Sequence, residues 1–440
     1  MSNSLESCFL PFTPNRAFKK KPRLVTRAEG MYYFDAAGRK ILDGFAGLWC
    51  VNAGHNHPKI IEAIKKQAAE CDYAGAFMLA HPVTFAAAER TCAMMPGDID
   101  HVFFTNSGSE AVETAVKIAV AYNRARGKTS KTKIIGRERG YHGVNIGGTS
   151  VGGIPSNRAA FEHNFMMGVE HLPHTFSLEK QAFSQGQPEW GGHLAEALEN
   201  IVASHGADNI AAVFVEPVAC STGILVPPKG YLQKLGEICT RHDILLVFDE
   251  VITAFGRMGK ATAAEYFGVQ PDIICSAKGI NSGAVPMGAT FMRKGIHDAL
   301  MQGGAYAIEF AHGYTYSGHP LACAAALAAQ DVYRDEKLFE RAAGLEKKWS
   351  DAMHALKEAR HVIDIRAIGL MAGIEIDPGA RDFPNVPSRA MEAFEKMYWE
   401  QDVVMRFTGN VLAFAPSLTV TESQIAEMAE KLKRVLESVK

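Results

Sequence analysis

The chain has no paired cysteines. Its eight cysteines stand singly at positions 8, 50, 71, 92, 220, 239, 275 and 323, with no C-x-x-C spacing anywhere. Zinc sites and disulfide frameworks need such pairs, so neither is expected, no metal set is assigned, and a reducing, cytoplasmic setting is. No apolar run approaches the ~18 residues of a membrane span. The N-terminus lacks a charged stretch followed by an apolar one, so no signal peptide is expected either. Excess charge of one sign is also missing. The net charge of -2 gives no electrostatic reason to expect nucleic acid or an anionic membrane as partner. The one basic cluster, Lys19 to Arg23, is short and reads as a solvated segment. Two nucleotide signatures are absent: no G-x-G-x-x-G occurs, and Gly256-Arg-Met-Gly259-Lys260 has the wrong spacing for a phosphate loop. Gly148-Thr-Ser150-Val-Gly152 matches the hydrolase pattern G-x-S-x-G but runs on into Gly153-Ile-Pro155, without the strand–turn–helix that pattern requires. His55 and His57, two apart beside Pro58, read as turn residues.

What is present centres on residues 244–279. Ile244-Leu-Leu-Val-Phe-Asp249-Glu250 is an apolar run ending in two acids, and Asp272-Ile-Ile-Cys-Ser-Ala-Lys278 is a second run ending in an amine. Such runs, rich in β-branched and aromatic residues, read as buried strands. Ligands of open α/β sheets bind beyond the strand ends. An acid and an amine delivered there suit pyridoxal phosphate (PLP). A desolvated lysine offers a free amine for a Schiff base with an aldehyde. A carboxylate facing the pyridine nitrogen keeps the ring protonated as an electron sink. At about 4 Å and an effective dielectric near 20 that pair is worth ~4 kcal/mol, or about three pKa units.

A third feature supplies a phosphate site. His101-Val-Phe-Phe-Thr105 reads as a strand, Asn106 to Glu110 as a tight turn, and Ala111 to Arg126 as a helix. Ser107-x-x-Glu110 is a capping-box signature. A Gly/Ser turn opening a helix also presents free N–H groups to an anion, with Gly108 allowing close approach and Ser109 adding a hydroxyl. Further strands are expected at Lys133–Gly136, 209–216 and Gly288–Met292, with helices at 194–203, 231–242 and 321–333 and a polar surface loop at 173–192. Tyr141, at the head of a glycine-rich stretch, is suited to stacking on a flat ring. Strand–helix alternation through 100–290 implies an α/β fold with a largely parallel sheet covered on both faces. Short strands and helices follow from 335, ending in an amphipathic helix opened by Thr421-x-x-Gln424.

Taken in order, Leu10-Pro-Phe-Thr13, Gly47-Leu-Trp49, Ser107-Gly-Ser-Glu110, Tyr141-His-Gly143, Leu246-Val-Phe-Asp-Glu-Val-Ile252, Ala277-Lys-Gly279, His312-Gly-Tyr-Thr-Tyr-Ser317 and Val404-Met-Arg-Phe407 resemble the class III (ω-amino acid) aminotransferases of PLP fold type I. The likeness is greatest to the β-alanine:pyruvate group. It implies a large domain with a seven-stranded-type sheet over 60–320 and a smaller α+β domain built from 1–59 and 321–440. By resemblance, Lys278 is the Schiff-base lysine and proton carrier, and Asp249 holds the pyridinium. Ser107, Gly108 and Ser109 belong to the phosphate turn. Tyr141, next to His142, stacks on one ring face and Val251 packs on the other. Thr315 reaches the partner subunit's phosphate, which implies a homodimer with shared sites and leaves dimer or tetramer open. Glu216 is an acid near the cofactor with an open role, and Trp49 and Arg406 line the substrate pocket, Arg406 gripping a carboxylate. Thr408-Gly-Asn410 departs from the Gly-Gly-Asp common in relatives. Glutamate-using relatives often carry an acid just after the Glu-Pro; Glu216-Pro-Val-Ala-Cys-Ser-Thr-Gly223 has none, which favours pyruvate. The alternatives are a 2-oxoglutarate-dependent ω-aminotransferase of the 4-aminobutyrate or ornithine type, a PLP aminomutase, decarboxylase or racemase, and a non-enzymatic PLP-binding regulator.

Overall fold

The computed structural model of the protein describes residues 4–440. Its largest sheet has seven strands in the spatial order Ile99–Thr105, Gly288–Arg293, Ile273–Ala277, Leu245–Asp249, Ile210–Val215, Lys133–Arg137 and Val169–Leu172. The middle strands are buried along their whole length, as expected where helices cover both faces of a parallel sheet. Side chains alternate between the faces. Leu246 and Phe248 join the apolar core on one side, and Leu245 and Val247 join a second core with Val112, Val116 and Phe214 on the other.

Gly288–Arg293 runs antiparallel to both neighbours, while the other six strands point the same way. The reason is length. The connection 278–287 is shorter than the dozen or so residues that a parallel crossover needs. One strand escaped the sequence: Val169–Leu172 is an edge strand with a single buried residue, too short to show a pattern. The expected loop 173–192 holds a helical turn, Leu178–Gln181. The six co-directional strands bring their C-terminal ends to one rim. Asp249, Glu216, Lys278, Tyr141 and the Ser107–Gly108 turn all lie at or just past those ends.

The two ends of the chain meet. Arg27–Glu29, Tyr32–Phe34 and Lys40–Asp43 form an antiparallel meander whose last strand pairs in parallel with Val403–Val404. A separate antiparallel sheet joins Val362–Ile368, Met371–Ile376, Val411–Phe414 and Arg406–Thr408. The closing helix Glu422–Ser438 has the expected capping box at Thr421 and Gln424. Among the described residues, no helix is long and apolar enough to cross a membrane.

Candidate active site

A cavity of about 320 Å³ opens at the strand-end rim, within the size range of small-ligand sites. Its floor comprises Gly108, Ser109, Tyr141, His142, Glu216, Asp249, Val251 and Lys278; Phe12, Trp49 and Arg406 reach it from the chain ends. Ten of the twelve residues proposed for the site thus face one space. The other two do not. The Ser107 hydroxyl caps the helix Gly108–Ala125 by accepting the Glu110 N–H. Glu110 returns the contact to the Asn106 N–H at 2.8 Å rather than to Ser107. Thr315 sits exposed outside the cavity, its carbonyl accepting from the Tyr73 hydroxyl at 2.9 Å.

Asp249 ends a fully buried strand and is itself 6% exposed. Its Oδ2 lies 2.8 Å from His142 Nδ1, and its Oδ1 accepts the Val251 N–H at 3.2 Å. A carboxylate only accepts, so the His142 proton sits on Nδ1. His142 Nε2 is buried without a partner among the described residues. The histidine therefore fixes the direction of Asp249 and leaves part of its carboxylate free. Sequence reasoning placed His142 near the cofactor but had no signal for this contact, which spans two separate strand ends.

Lys278 follows the neighbouring strand. Its amine has no hydrogen-bond or ion-pair partner among the described residues, although it borders the cavity. Burial lowers its pKa, opposed by Cys50, Cys220, Asp249 and Glu216. That holds a larger share of free amine at neutral pH than an exposed lysine has. Glu216 is pushed up to about 7, by burial first and by Asp249, against the pull of His142, the Tyr141 N–H and Arg137. Its Oε1 accepts the Tyr141 N–H at 2.8 Å, which ties the tyrosine's backbone to this strand end. Cys220, three residues past Pro217, also lines the cavity and had no sequence signal.

The phosphate turn is built by close approach. A Cβ on Gly108 would lie 2.8 Å from both methyls of Val251, so only glycine leaves the turn open. The first N–H groups of the following 18-residue helix have no intrahelical partner. Ser109 Oγ accepts the Val144 N–H at 3.2 Å and keeps its own proton to donate. An unpartnered amine, a steered carboxylate and an anion-binding helix start around one cavity fit PLP: Lys278 would bind its aldehyde carbon, Asp249 its ring nitrogen, and Gly108 and Ser109 its phosphate.

The rim is different in kind. Trp49 has φ +64 and packs edge-on against Phe45 at 4.4 Å. Arg406 keeps solvent access, and it has no acceptor among the described residues. Burial lowers its pKa, with Tyr141 opposing. A guanidinium facing a cavity without a carboxylate partner is a ready site for a ligand's carboxylate.

The chain is similar to known proteins over almost its whole length. The family model for class III aminotransferases matches residues 14–436. An omega-aminotransferase of Caulobacter vibrioides is 56% identical over 439 residues, covering 100% of this chain and 99% of its own. A beta-alanine–pyruvate aminotransferase of Pseudomonas aeruginosa is 46% identical, covering 99% and 96%. Among solved structures, an amine transaminase from an uncultivated Pseudomonas species in its PLP-bound form superposes with a TM-score of 0.90 at 34% identity over 100% of both chains. A thermostable (S)-enantioselective omega-transaminase from Thermomicrobium roseum gives 0.89 at 34% identity, over 98% of this chain and 95% of that one.

Proposed function

The chain belongs to the class III aminotransferases, PLP enzymes of fold type I, and on that premise we propose that it moves an amino group from an ω-amino acid or a small amine to pyruvate, giving alanine. The observation that carries this reading is the convergence of Lys278 and Asp249 on one cavity whose rim holds an unpaired arginine, Arg406. PLP supplies the electron sink that lets the amine-bearing carbon lose and regain a proton. The residues supply the rest. Lys278 Nζ would hold the cofactor by its aldehyde carbon, and its amine, when free, would move the proton to and from the amine-bearing carbon. Asp249, steered by His142, keeps the ring nitrogen protonated. Tyr141 and Val251, which both line the cavity, would flank the ring. Gly108 and Ser109 hold the phosphate, with Ser107 fixing the turn as its cap. Glu216, pushed up to about 7 by burial, would stand beside the cofactor and ties the Tyr141 backbone to its strand end.

Arg406 grips the carboxylate of the ω-amino acid in one half-reaction and of pyruvate in the other, a ping-pong cycle. Trp49 bounds the space left for the donor. The stretch Val218 to Gly223 carries no acid to neutralise a second arginine, which favours the monocarboxylate pyruvate over 2-oxoglutarate. Thr315 belongs to the same proposal. It lies beside exposed Tyr73, Phe77 and Tyr316, apolar side chains suited to a second copy of the chain. There Thr315 reaches the partner's phosphate. The division into a large domain over 60–320 and a small one from 1–59 and 321–440 is likewise part of this reading, supported by the pairing of Lys40–Asp43 with Val403–Val404.

Incubation with β-alanine and pyruvate tests the proposal. Malonate semialdehyde and alanine should appear in equal amounts, with little glutamate when 2-oxoglutarate replaces pyruvate. Release of carbon dioxide without alanine, or a preference for 2-oxoglutarate, would overturn it.

A further inference from the structure

The turn that carries Lys278 is gripped from beneath by residues outside the cavity. Lys278 has φ +48, a left-handed conformation that a residue with a Cβ keeps only when its surroundings impose it. The next residue, Gly279, fits flush against Asn52: a Cβ there would lie 2.5 Å from Asn52 Nδ2 and 3.1 Å from Phe255 Cβ. The Tyr333 hydroxyl donates to the Gly279 carbonyl at 2.6 Å. Asn52 is itself fixed at both ends of its amide. Nδ2 donates to the Phe255 carbonyl at 2.8 Å, and Oδ1 accepts from the Arg257 guanidinium at 2.7 Å. Arg257 also donates to the Pro416 carbonyl. One more contact closes the turn, where the Ser282 hydroxyl accepts the Ala53 N–H at 2.9 Å.

Asn52, Arg257 and Tyr333 are all buried, and none of them lines the cavity. Arg257 is 0% exposed and has no carboxylate partner among the described residues, a costly arrangement for a cation. Stability alone does not account for a buried arginine held by two neutral acceptors. Local departures of this kind gather where function demands them.

We propose that Asn52, Arg257 and Tyr333 are positioning residues for Lys278: Tyr333 and Asn52 hold the Gly279 peptide, Arg257 fixes Asn52, and together they aim the lysine side chain into the cavity. The three come from the N-terminal segment, the loop after Asp249 and the helix Pro320–Asp335, so the catalytic amine is aimed from three distant parts of the chain. This inference rests on Lys278 being the residue that carries the cofactor.

Tyr333→Phe, Asn52→Ala and the double variant Asn52→Ala/Gly279→Ala, each as full-length holoenzyme, test it. Misplacement of a reacting group by about 1 Å costs up to ~100-fold in rate. Tyr333→Phe and Asn52→Ala should therefore lower kcat by about 10- to 100-fold, with KM for the donor within about threefold. The visible circular dichroism of the bound cofactor, which reports its orientation, should weaken in the same variants. Gly279→Ala alone should be as impaired as Asn52→Ala. The double variant should be no worse than either, because removing the amide clears the 2.5 Å overlap and leaves only the 3.1 Å approach to Phe255 Cβ, which a small shift relieves. Tyr333→Phe deletes only a hydroxyl and keeps the test alive if the asparagine variant does not fold. Wild-type kcat and dichroism in folded Tyr333→Phe would overturn the inference, as would additive losses in the double variant. Borohydride reduction of wild-type enzyme followed by peptide mapping separates this from the functional reading. A phosphopyridoxyl tag on Lys278 with unaltered variants sinks the clamp alone, whereas a tag on another side chain sinks both.

Discussion

The floor and the rim of the cavity are built on opposite terms. On the floor the two acids are held in fixed directions: Asp249 has His142 and the Val251 N–H, and Glu216 has the Tyr141 N–H, while the Lys278 amine has no partner among the described residues and is left for the cofactor. These contacts link strand ends already locked in register by the sheet. At the rim, Arg406 has no partner among the described residues and Phe12 is largely exposed. The floor is preorganised for chemistry that does not vary, and the rim is left unsatisfied so that the substrate can complete it. A site with both parts holds its reaction constant while its substrates change.

The comparison breaks most visibly at Lys278. Lys278→Ala should bind PLP without the covalent link and lose turnover by at least ~10⁴-fold with every donor, since it removes both the attachment and the proton carrier. Stopped-flow measurement of a single half-reaction checks this; near-normal turnover would mean that another group does the chemistry. Asp249→Asn comes next. Losing a ring-nitrogen interaction of ~4 kcal/mol predicts about a 10³-fold fall in kcat, with a far-ultraviolet spectrum like that of the wild type. An equal loss for carboxylated and uncharged donors would identify Asp249 as a floor residue.

Arg406→Ala sharpens the contrast. A charge-assisted hydrogen bond is worth ~1.5–3 kcal/mol, so KM for β-alanine and pyruvate should rise by about 10- to 100-fold. Uncharged amines should keep their KM as donors. If both donor classes suffer alike, Arg406 belongs to the floor and the distinction fails.

The smallest effect concerns Glu250, beside Asp249 but outside the cavity. Burial pushes it up to about 7, although it accepts the N–H groups of Ala263 and Ala264. The folded chain thus keeps a proton that the unfolded chain releases above a pH of about 4.3. Between there and about 7 the native state binds more protons, so this group makes stability fall as pH rises. Glu250→Gln cannot titrate. The melting temperature of the wild type minus that of the variant should therefore shrink between pH 5 and pH 8, by about 2–4 °C per kcal/mol. A gap that widens instead would mean that the backbone donors outweigh burial.

Much of this was readable in the chain. The runs ending in Asp249 and Lys278 show as strands because buried parallel strands are apolar without interruption, a pattern independent of context. The turn at Ser107–Glu110 is legible because capping chemistry acts over four residues. Val169–Leu172 was missed because a short edge strand gains its pairing from a neighbour rather than from its own pattern. The antiparallel course of Gly288–Arg293 needed the length of the connection before it. The His142–Asp249 contact and the Asn52–Arg257–Tyr333 clamp leave no local trace, since each joins residues far apart in sequence.

The order of residues alone puts an acid, an amine and a glycine turn at the strand ends, and that set already implied their chemistry. How they face one another came with folding. Aim depends on contacts between distant segments, and local propensity carries no information about direction across a cavity. The partner of Asp249, the backbone twist of Lys278 and the unpaired state of Arg406 therefore exist only in the folded chain.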